Sequence, residues 1–281
     1  LITGDCGDWE DDDGCTISAF RKQTGIELWQ TEYTFSESKI ATPEGSHFSF
    51  IGMTYPPDFE GESGAVFYSV NALTGFNKLK VEFWTGENRY YPRRIYHFGT
   101  HYVIDADAMD YRHIAVINGE TGLVRWELEL DKDPFLRSSS VDIVWADSLV
   151  IIPLDGELQS FNLYSGEMEW SYDYTDDFDG IEYLSQSGIG KGDLSFLSDD
   201  NEFIVLDINA LQITFQKDVD FDRMVRIQYL DANHLLGSSN DGYITLFTKN
   251  ATSIKNVWTQ YVDTIESLIF SEKNIHVFSL D

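Results

Sequence analysis

"HIAVINGETGLVRWELEL", residues His113 to Leu130, joins a strand-like alternation to a Thr-Gly pair at 121–122 and a tryptophan at 126. Locally this is a hairpin. A turn residue with φ > 0 is cheap only for Gly or Asn, which explains Gly122. The tryptophan four residues later has no such local reason. Its reason emerges when the same phrase is found elsewhere in the chain.

"GCTISAFRKQTGIELW" runs from Gly14 to Trp29, and "GAVFYSVNALTGFNKLKVEF" from Gly64 to Phe83. "GELQSFNLYSGEMEW" ends at Trp170, and "NEFIVLDINALQITF" ends at Phe215 with Leu211 in the glycine's place. "DGYITLFTKNATSIKNVW" closes at Trp258. The marker positions 25, 75, 122, 166 and 211 are separated by 50, 47, 44 and 45 residues. A step this regular is a repeated supersecondary unit. Each phrase holds a period-2 strand, a tight turn and a second strand carrying the aromatic. Between phrases lie two further short strands, clearest in "SVDIVWAD" and "SLVIIPLDG" from Ser140 to Gly156.

Four antiparallel strands per unit of 40–50 residues predict a β-propeller. The fold class is all-β, with residues 1–281 as a single domain and no helix-period segment. Six aromatic-ended phrases predict six blades, closed as a ring by N- and C-terminal strands sharing one; an incomplete seventh is the alternative. Trp29, Trp126, Trp170, Phe215 and Trp258 are expected to pack one blade on the next, where a large flat side chain buries much area.

"ISAFRKQTGIELW" and "IAVINGETGLVRW" closely resemble the pyrroloquinoline-quinone-like repeat, whose usual form is Tyr-Ala-Leu-Asp-x-x-Thr-Gly-x-x-x-Trp. The resemblance covers nearly the whole chain, strongly in phrases one, three and four. Such repeats occur in quinoprotein dehydrogenases, in the propeller lipoprotein of outer-membrane assembly and in extracellular binding proteins. The resemblance therefore specifies the fold well and the function poorly. The quinoprotein enzymes are larger rings with a vicinal cysteine pair stacked on the quinone. This chain has only Cys6 and Cys15, so it departs from a true quinoprotein and no cofactor is expected. A quinone- or metal-dependent enzyme with its site in the central channel is the alternative reading.

Composition narrows the partners. With 48 acidic and 19 basic residues the formal net charge is −29, a field that repels nucleic acid and anionic lipid. No run of about eighteen apolar residues is present, so no transmembrane segment is expected. The chain starts at Leu1 without a charged-then-apolar leader. It reads as mature or trimmed, with any signal peptide or lipid-anchor cysteine outside it. Cys6 and Cys15 flank an acidic loop and could meet as a disulfide if their flanks are antiparallel strands. That pairing would place the protein in an oxidising compartment, periplasmic or extracellular. Two separate thiols are the alternative.

The acidic clusters "DWEDDDG" and "DYTDDFDG" offer hard oxygen ligands. Ca²⁺ at Asp8, Asp11 and Asp13 competes with a plain solvated loop, because Trp9 breaks the spacing of a dedicated site. His97 and His101 are four apart but fall on a strand-turn-strand, which does not present them as a zinc-protease helix would.

The loops that lead from one blade to the next carry a short aromatic-x-Arg phrase three times: Tyr91-Pro-Arg93, Phe135-Leu-Arg137 and Phe221-Asp-Arg223, with Arg94 adjacent to the first. One reading is structural ion pairs with neighbouring acids. The other is a rim at one channel mouth that captures a protein partner or a carboxylate-bearing small ligand, since Arg forks match carboxylates. In the outer-membrane-assembly relative the loops of one face engage a partner, and the resemblance places the site on Tyr91, Arg93, Arg94, Phe135, Arg137, Phe221 and Arg223.

Overall fold

A computed structural model of the chain describes residues 2–6, 15–33, 37–40, 47–54, 63–86, 91–107, 111–131, 143–154, 156–178, 180–186, 192–198, 200, 202–218, 224–230, 233–239, 242–250, 253–262, 265–271 and 274–279. Among the described residues there is no helix, and hence none long and apolar enough to cross a membrane. Every described strand pairs antiparallel with its neighbour in sequence.

The chain divides into two compact units, Leu1–Pro134 and Phe135–Asp281. The first holds three sheets. They are β1 (Ile2–Cys6), β2 (Cys15–Phe20) and β3 (Glu27–Tyr33); then β4 (Glu37–Ile40), β5 (His47–Thr54), β6 (Ser63–Asn71) and β7 (Asn77–Gly86); then β8 (Tyr91–Phe98), β9 (His101–Asp107), β10 (Tyr111–Asn118) and β11 (Val124–Asp131). The second unit holds three four-stranded sheets. They are β12 (Val144–Ala146), β13 (Leu149–Pro153), β14 (Glu157–Asn162) and β15 (Met168–Asp173); β16 (Ile181–Gln186), β17 (Asp193–Ser198), β18 (Glu202–Asp207) and β19 (Gln212–Asp218); β20 (Met224–Tyr229), β21 (His234–Ser239), β22 (Tyr243–Lys249) and β23 (Ile254–Tyr261). A two-stranded sheet, β24 (Ile265–Ser271) with β25 (Asn274–Ser279), ends it. Within each unit the first strands of successive four-stranded sheets lie against each other, β4 on β8, β12 on β16 and β16 on β20.

The core is laid down between sheets. Cys15, Ile17 and Tyr33 of the first sheet pack on Phe48, Phe50, Val66, Tyr68 and Val70 of the second. Opposite faces of that second sheet then send Ile51, Ala65 and Phe67 against Ile104, Ala106, Ala115 and Ile117 of the third. In the other unit one cluster joins the fourth and fifth sheets and another the fifth and sixth. A middle strand such as β10 is therefore buried on both faces, which is why it reads as an unbroken apolar run from Ile114 to Ile117.

The outer hairpins share one turn. Asn71 Oδ1 accepts the N–H groups of Leu73 and Thr74, and Thr74 Oγ1 accepts that of Phe76. Asn118 with Thr121, and Asn162 with Ser165, repeat the arrangement. Asp207 does the same toward Asn209 and Ala210. A short side-chain acceptor four residues ahead of the glycine thus supplies the partners that a tight turn denies its own backbone. Leu211 takes the glycine's conformation at φ 50° without the glycine. A β-bulge falls at the same place in all six outer hairpins, directly after Ala19, Ser69, Val116, Ser160, Val205 and Leu246. The residues opposite these six are Trp29, Leu79, Trp126, Trp170, Phe215 and Trp258.

That register decides what the aromatic does. Trp29 leans on the next sheet's turn: its Nε1–H donates to the Ala72 carbonyl at 3.0 Å, and its ring stacks on Phe48. Leu79 and Val81, not Phe83, take this place in the second sheet and press on Gly122. Trp170 packs on the cluster joining the fourth and fifth sheets, and Phe215 on the one joining the fifth and sixth. Trp126 lies half-buried at the end of the first unit. Trp258, expected in the same packing role, is instead 39% exposed.

Gly75 makes the inter-sheet contact measurable. A Cβ there would come within 2.8 Å of the Trp29 ring at φ +73°, whereas Gly25, at φ +66°, has nothing within 4 Å. Ala at either position meets the same backbone penalty, of about 1–2 kcal/mol. Gly75→Ala should therefore be more destabilising than Gly25→Ala by about 1–3 kcal/mol, read by urea unfolding of the two variants. Equal losses would remove the inter-sheet contact from the account.

Candidate functional site

The charged residues of the third sheet form one group. Arg112 of β10 sends Nε and Nη2 to the two carboxylate oxygens of Asp105 on β9, both at 2.9 Å. Arg93 of β8 places Nη1 3.5 Å from the same Asp105 Oδ2. Arg112 and Asp105 are 2% and 1% exposed, and Arg93 16%. A buried carboxylate held by a planar fork and flanked by a second guanidinium satisfies the demand that desolvated charges be paired. Arg93 is thereby committed to the interior, and of the adjacent pair it is Arg94 whose side chain is exposed. The ion-pair partner is Asp105; the acids considered from sequence, near Arg137 and Arg223, lie outside the described residues.

Of the three loop phrases, only the first lies within the described residues. The first strands carry a bulge between Pro92 and Arg94, Ile181 and Tyr183, and Met224 and Arg226. The bulge sets Arg94 level with Arg226, and Arg93 level with Val225. Tyr91, Arg93 and Arg94 belong to β8 itself, whereas Phe221 and Arg223 precede β20 and, with Phe135 and Arg137, lie outside the described residues. Of Tyr91 only the backbone is described.

The loop after β15 shows what an aromatic does there. Phe178, in Phe178-Asp-Gly180, is buried, stacked on Tyr174 at 4.6 Å and tilted against Phe196 at 4.9 Å. Tyr174 donates its hydroxyl to the Leu154 carbonyl and accepts the Gly156 N–H. Two acids of this stretch serve the turn. Asp173 accepts from the Thr175 N–H and hydroxyl, and Asp177 from the Tyr172 hydroxyl. Burial first, and the Asp177 bond second, push the Tyr172 phenol well above its ordinary range. Asp8, Asp11 and Asp13 lie outside the described residues. Among the described residues no group of three or more His, Cys, Asp or Glu side chains is placed to hold a metal.

His101 and His113 are buried hairpin residues. His97 and His101 flank the Gly99–Thr100 turn, with the His97 ring against Tyr102. His113 is buried on β10, with Nδ1 3.6 Å from Glu129. Desolvation lowers its pKa, opposed by the Glu129 charge; desolvation and then Arg125 lower that of His101. For a depressed pKa the unfolded chain binds the proton first, so stability is lost as pH falls below about 6.5 toward the folded value. The thermal midpoint should drop between neutral pH and pH ~5, and His113→Gln should flatten that slope. A slope unchanged by the substitution would acquit His113.

No family model and no curated relative matches the sequence. Similarity is found among solved structures. The crystal structure of BamB from Moraxella catarrhalis superposes with a TM-score of 0.53 at 11% identity, covering 99% of this chain and 97% of that one. Saccharomyces cerevisiae Sqt1 superposes with a TM-score of 0.61 at 13% identity, covering 92% of this chain and 72% of that one. Both are β-propellers. This chain has the β-propeller fold. At such identities the likeness extends to the fold alone, and the propeller's repeated sheets and inter-sheet aromatics are the features held in common with the sequence-based expectation.

Proposed function

We propose that this propeller is a non-enzymatic binding or assembly scaffold of the cell envelope or extracellular space. One observation carries the reading: the side chains the repeats share are used up in structure. Turn acceptors build the hairpins, and the bulge-facing Trp29, Trp170 and Phe215 pack between sheets, while the Arg93–Asp105–Arg112 group is internal to the third. What varies from repeat to repeat is the connecting loops, the part of a rigid scaffold that carries binding. In this reading residues 1–281 are one domain whose terminal strands complete the ring. The contact residues are Arg94 with Tyr91, and Arg137 and Arg223 with their aromatic neighbours, engaging a protein partner or a carboxylate-bearing ligand. The burial of Phe178 in the comparable loop supports assigning Phe135 and Phe221 to positioning rather than contact.

The compartment rests on the cysteines. The β1–β2 register sets Cys6 opposite Cys15, and buried Cys15 carries no free thiol. Both support a Cys6–Cys15 disulfide and an oxidising location. Non-reducing peptide mapping by mass spectrometry should recover the two half-cystines as one linked peptide; alkylation of both thiols without reductant would remove the argument for location.

The function is tested by charge reversal. Arg94→Glu, Arg137→Glu and Arg223→Glu, singly and together, should abolish cross-links to the native partner while leaving the strand spectrum intact. Partner capture by the triple variant at the wild-type level would overturn the loop assignment. A quinone chromophore in the purified protein would replace the scaffold with an enzyme.

A further inference from the structure

The four most exposed large apolar side chains among the described residues are Phe76, Leu73, Leu123 and Ile26, at 60–77% exposure. All four stand on the outer turns of the first three sheets. Ile26, Phe76 and Leu123 each directly follow the positive-φ glycine of their turn, Gly25, Gly75 and Gly122. They are therefore one position repeated on three consecutive blades of a single unit. The packing already described links them, since Trp29 leans on the second turn, and Leu79 with Val81 on the third. Solitary exposed apolar residues are ordinary. Repetition of the most exposed ones at equivalent places on adjoining blades is not.

The charges around this row run against the molecule. Residues 21–27, 71–78 and 118–125 hold four exposed cations, Arg21, Lys22, Lys78 and Arg125, against two carboxylates, Glu27 and Glu120. This local positive excess lies in a chain of net charge −29. The corresponding turn of the fourth sheet holds Glu167 and Glu169 and no cation.

We infer that the outer turns at Ile26, Leu73–Phe76 and Leu123 form a docking row for an acidic protein segment carrying large apolar anchors. The class of partner follows from charge and shape. Separate apolar tips with basic flanks suit a chain that alternates anchors and carboxylates. A second copy meeting the first row on row would set like charge on like, and any other approach would bring together two molecules of net charge −29. An anionic bilayer is a continuous charged plane, and would bring its field against the acidic remainder of the molecule as well as the row. A narrow segment meets the row alone. This surface is distinct from the loop arginines and stands whether or not they bind anything.

A random peptide display library selected on the immobilised wild-type protein tests it. Recovered peptides should be enriched in Asp or Glu together with Phe, Leu or Ile, and their binding should weaken with added salt. Phe76→Ser/Leu123→Ser should lower their affinity about ten-fold or more, as should Lys78→Glu/Arg125→Glu. All four changes are on exposed side chains, and strand circular dichroism confirms folding; if one pair fails to fold, the other carries the test. Peptides without acidic bias, or peptides that bind both variants as well as wild type, would overturn the proposal. So would an empty selection accompanied by Phe76-dependent sedimentation with phosphatidylglycerol–phosphatidylcholine vesicles, which would give the row to lipid.

Discussion

Arg112→Leu should destabilise the protein by about 3–5 kcal/mol, more than a loss of packing of that size would suggest. The substitution leaves Asp105, 1% exposed, without the fork that holds both its oxygens. Arg93 remains, with Nη1 3.5 Å from Oδ2. The cost is thus mainly that of an under-compensated buried carboxylate. Asp105→Leu/Arg112→Leu removes both charges, and should recover a substantial part of the loss, because apolar replacement of a whole buried pair is often close to neutral. Chemical denaturation of the two singles and the double completes the cycle. Single variants within about 1 kcal/mol of wild type would mean that the group behaves as an exposed pair.

Trp29→Ala should cost a similar amount, about 3–5 kcal/mol, since it empties the contact between the first two sheets. The ring's stacking on Phe48 and its N–H bond to Ala72 go together. Trp29→Phe separates them: the aromatic body stays and about 1 kcal/mol is lost with the hydrogen bond. Trp170 is the control. Its Nε1 is buried with no hydrogen-bond partner among the described residues, so Trp170→Phe should cost less than Trp29→Phe. Trp258→Ala, at an exposed site, should change stability by well under the Trp29 figure. If Trp258→Ala matched Trp29→Ala, inter-sheet packing would not be the reason for either.

Repetition made the fold legible. Turn chemistry and hydrophobic alternation are local, so the Thr-Gly and Trp signals could be matched across the chain before any contact was known. Even Leu211 was placed in the glycine's column by spacing, and it adopts the glycine's φ. The Asn or Asp four residues ahead of the glycine was just as local, and the column Asn71, Asn118, Asn162, Asp207 was there to be read. In the second phrase the aromatic, Phe83, stands four residues past the bulge-facing column. The hairpin register, which counts from the turn, gives the position to Leu79.

The candidate site was legible only in its composition. That arginines would neutralise neighbouring acids was a fair expectation, yet the acid is Asp105, twelve residues from Arg93 and across a hairpin. Its partnership with Arg112 depends on which face of β9 and β10 each side chain takes, and that is set by the pairing of the two strands, not by the spelling of either. A phrase in a loop has no periodic neighbour to fix its phase, so similarity of words there predicts little about position.

The sequential pairing of strands has a kinetic side. Each described strand finds its partner across a short connection, so the closure entropy met before the first rewarding contact is small for a chain made only of sheets. Hairpins and single blades can form early, with the Trp29 contact between blades following them. Trp29→Ala should then act mainly by speeding unfolding and leave the refolding limb of the chevron nearly untouched. A slowed refolding limb would instead put the joining of blades inside the folding nucleus.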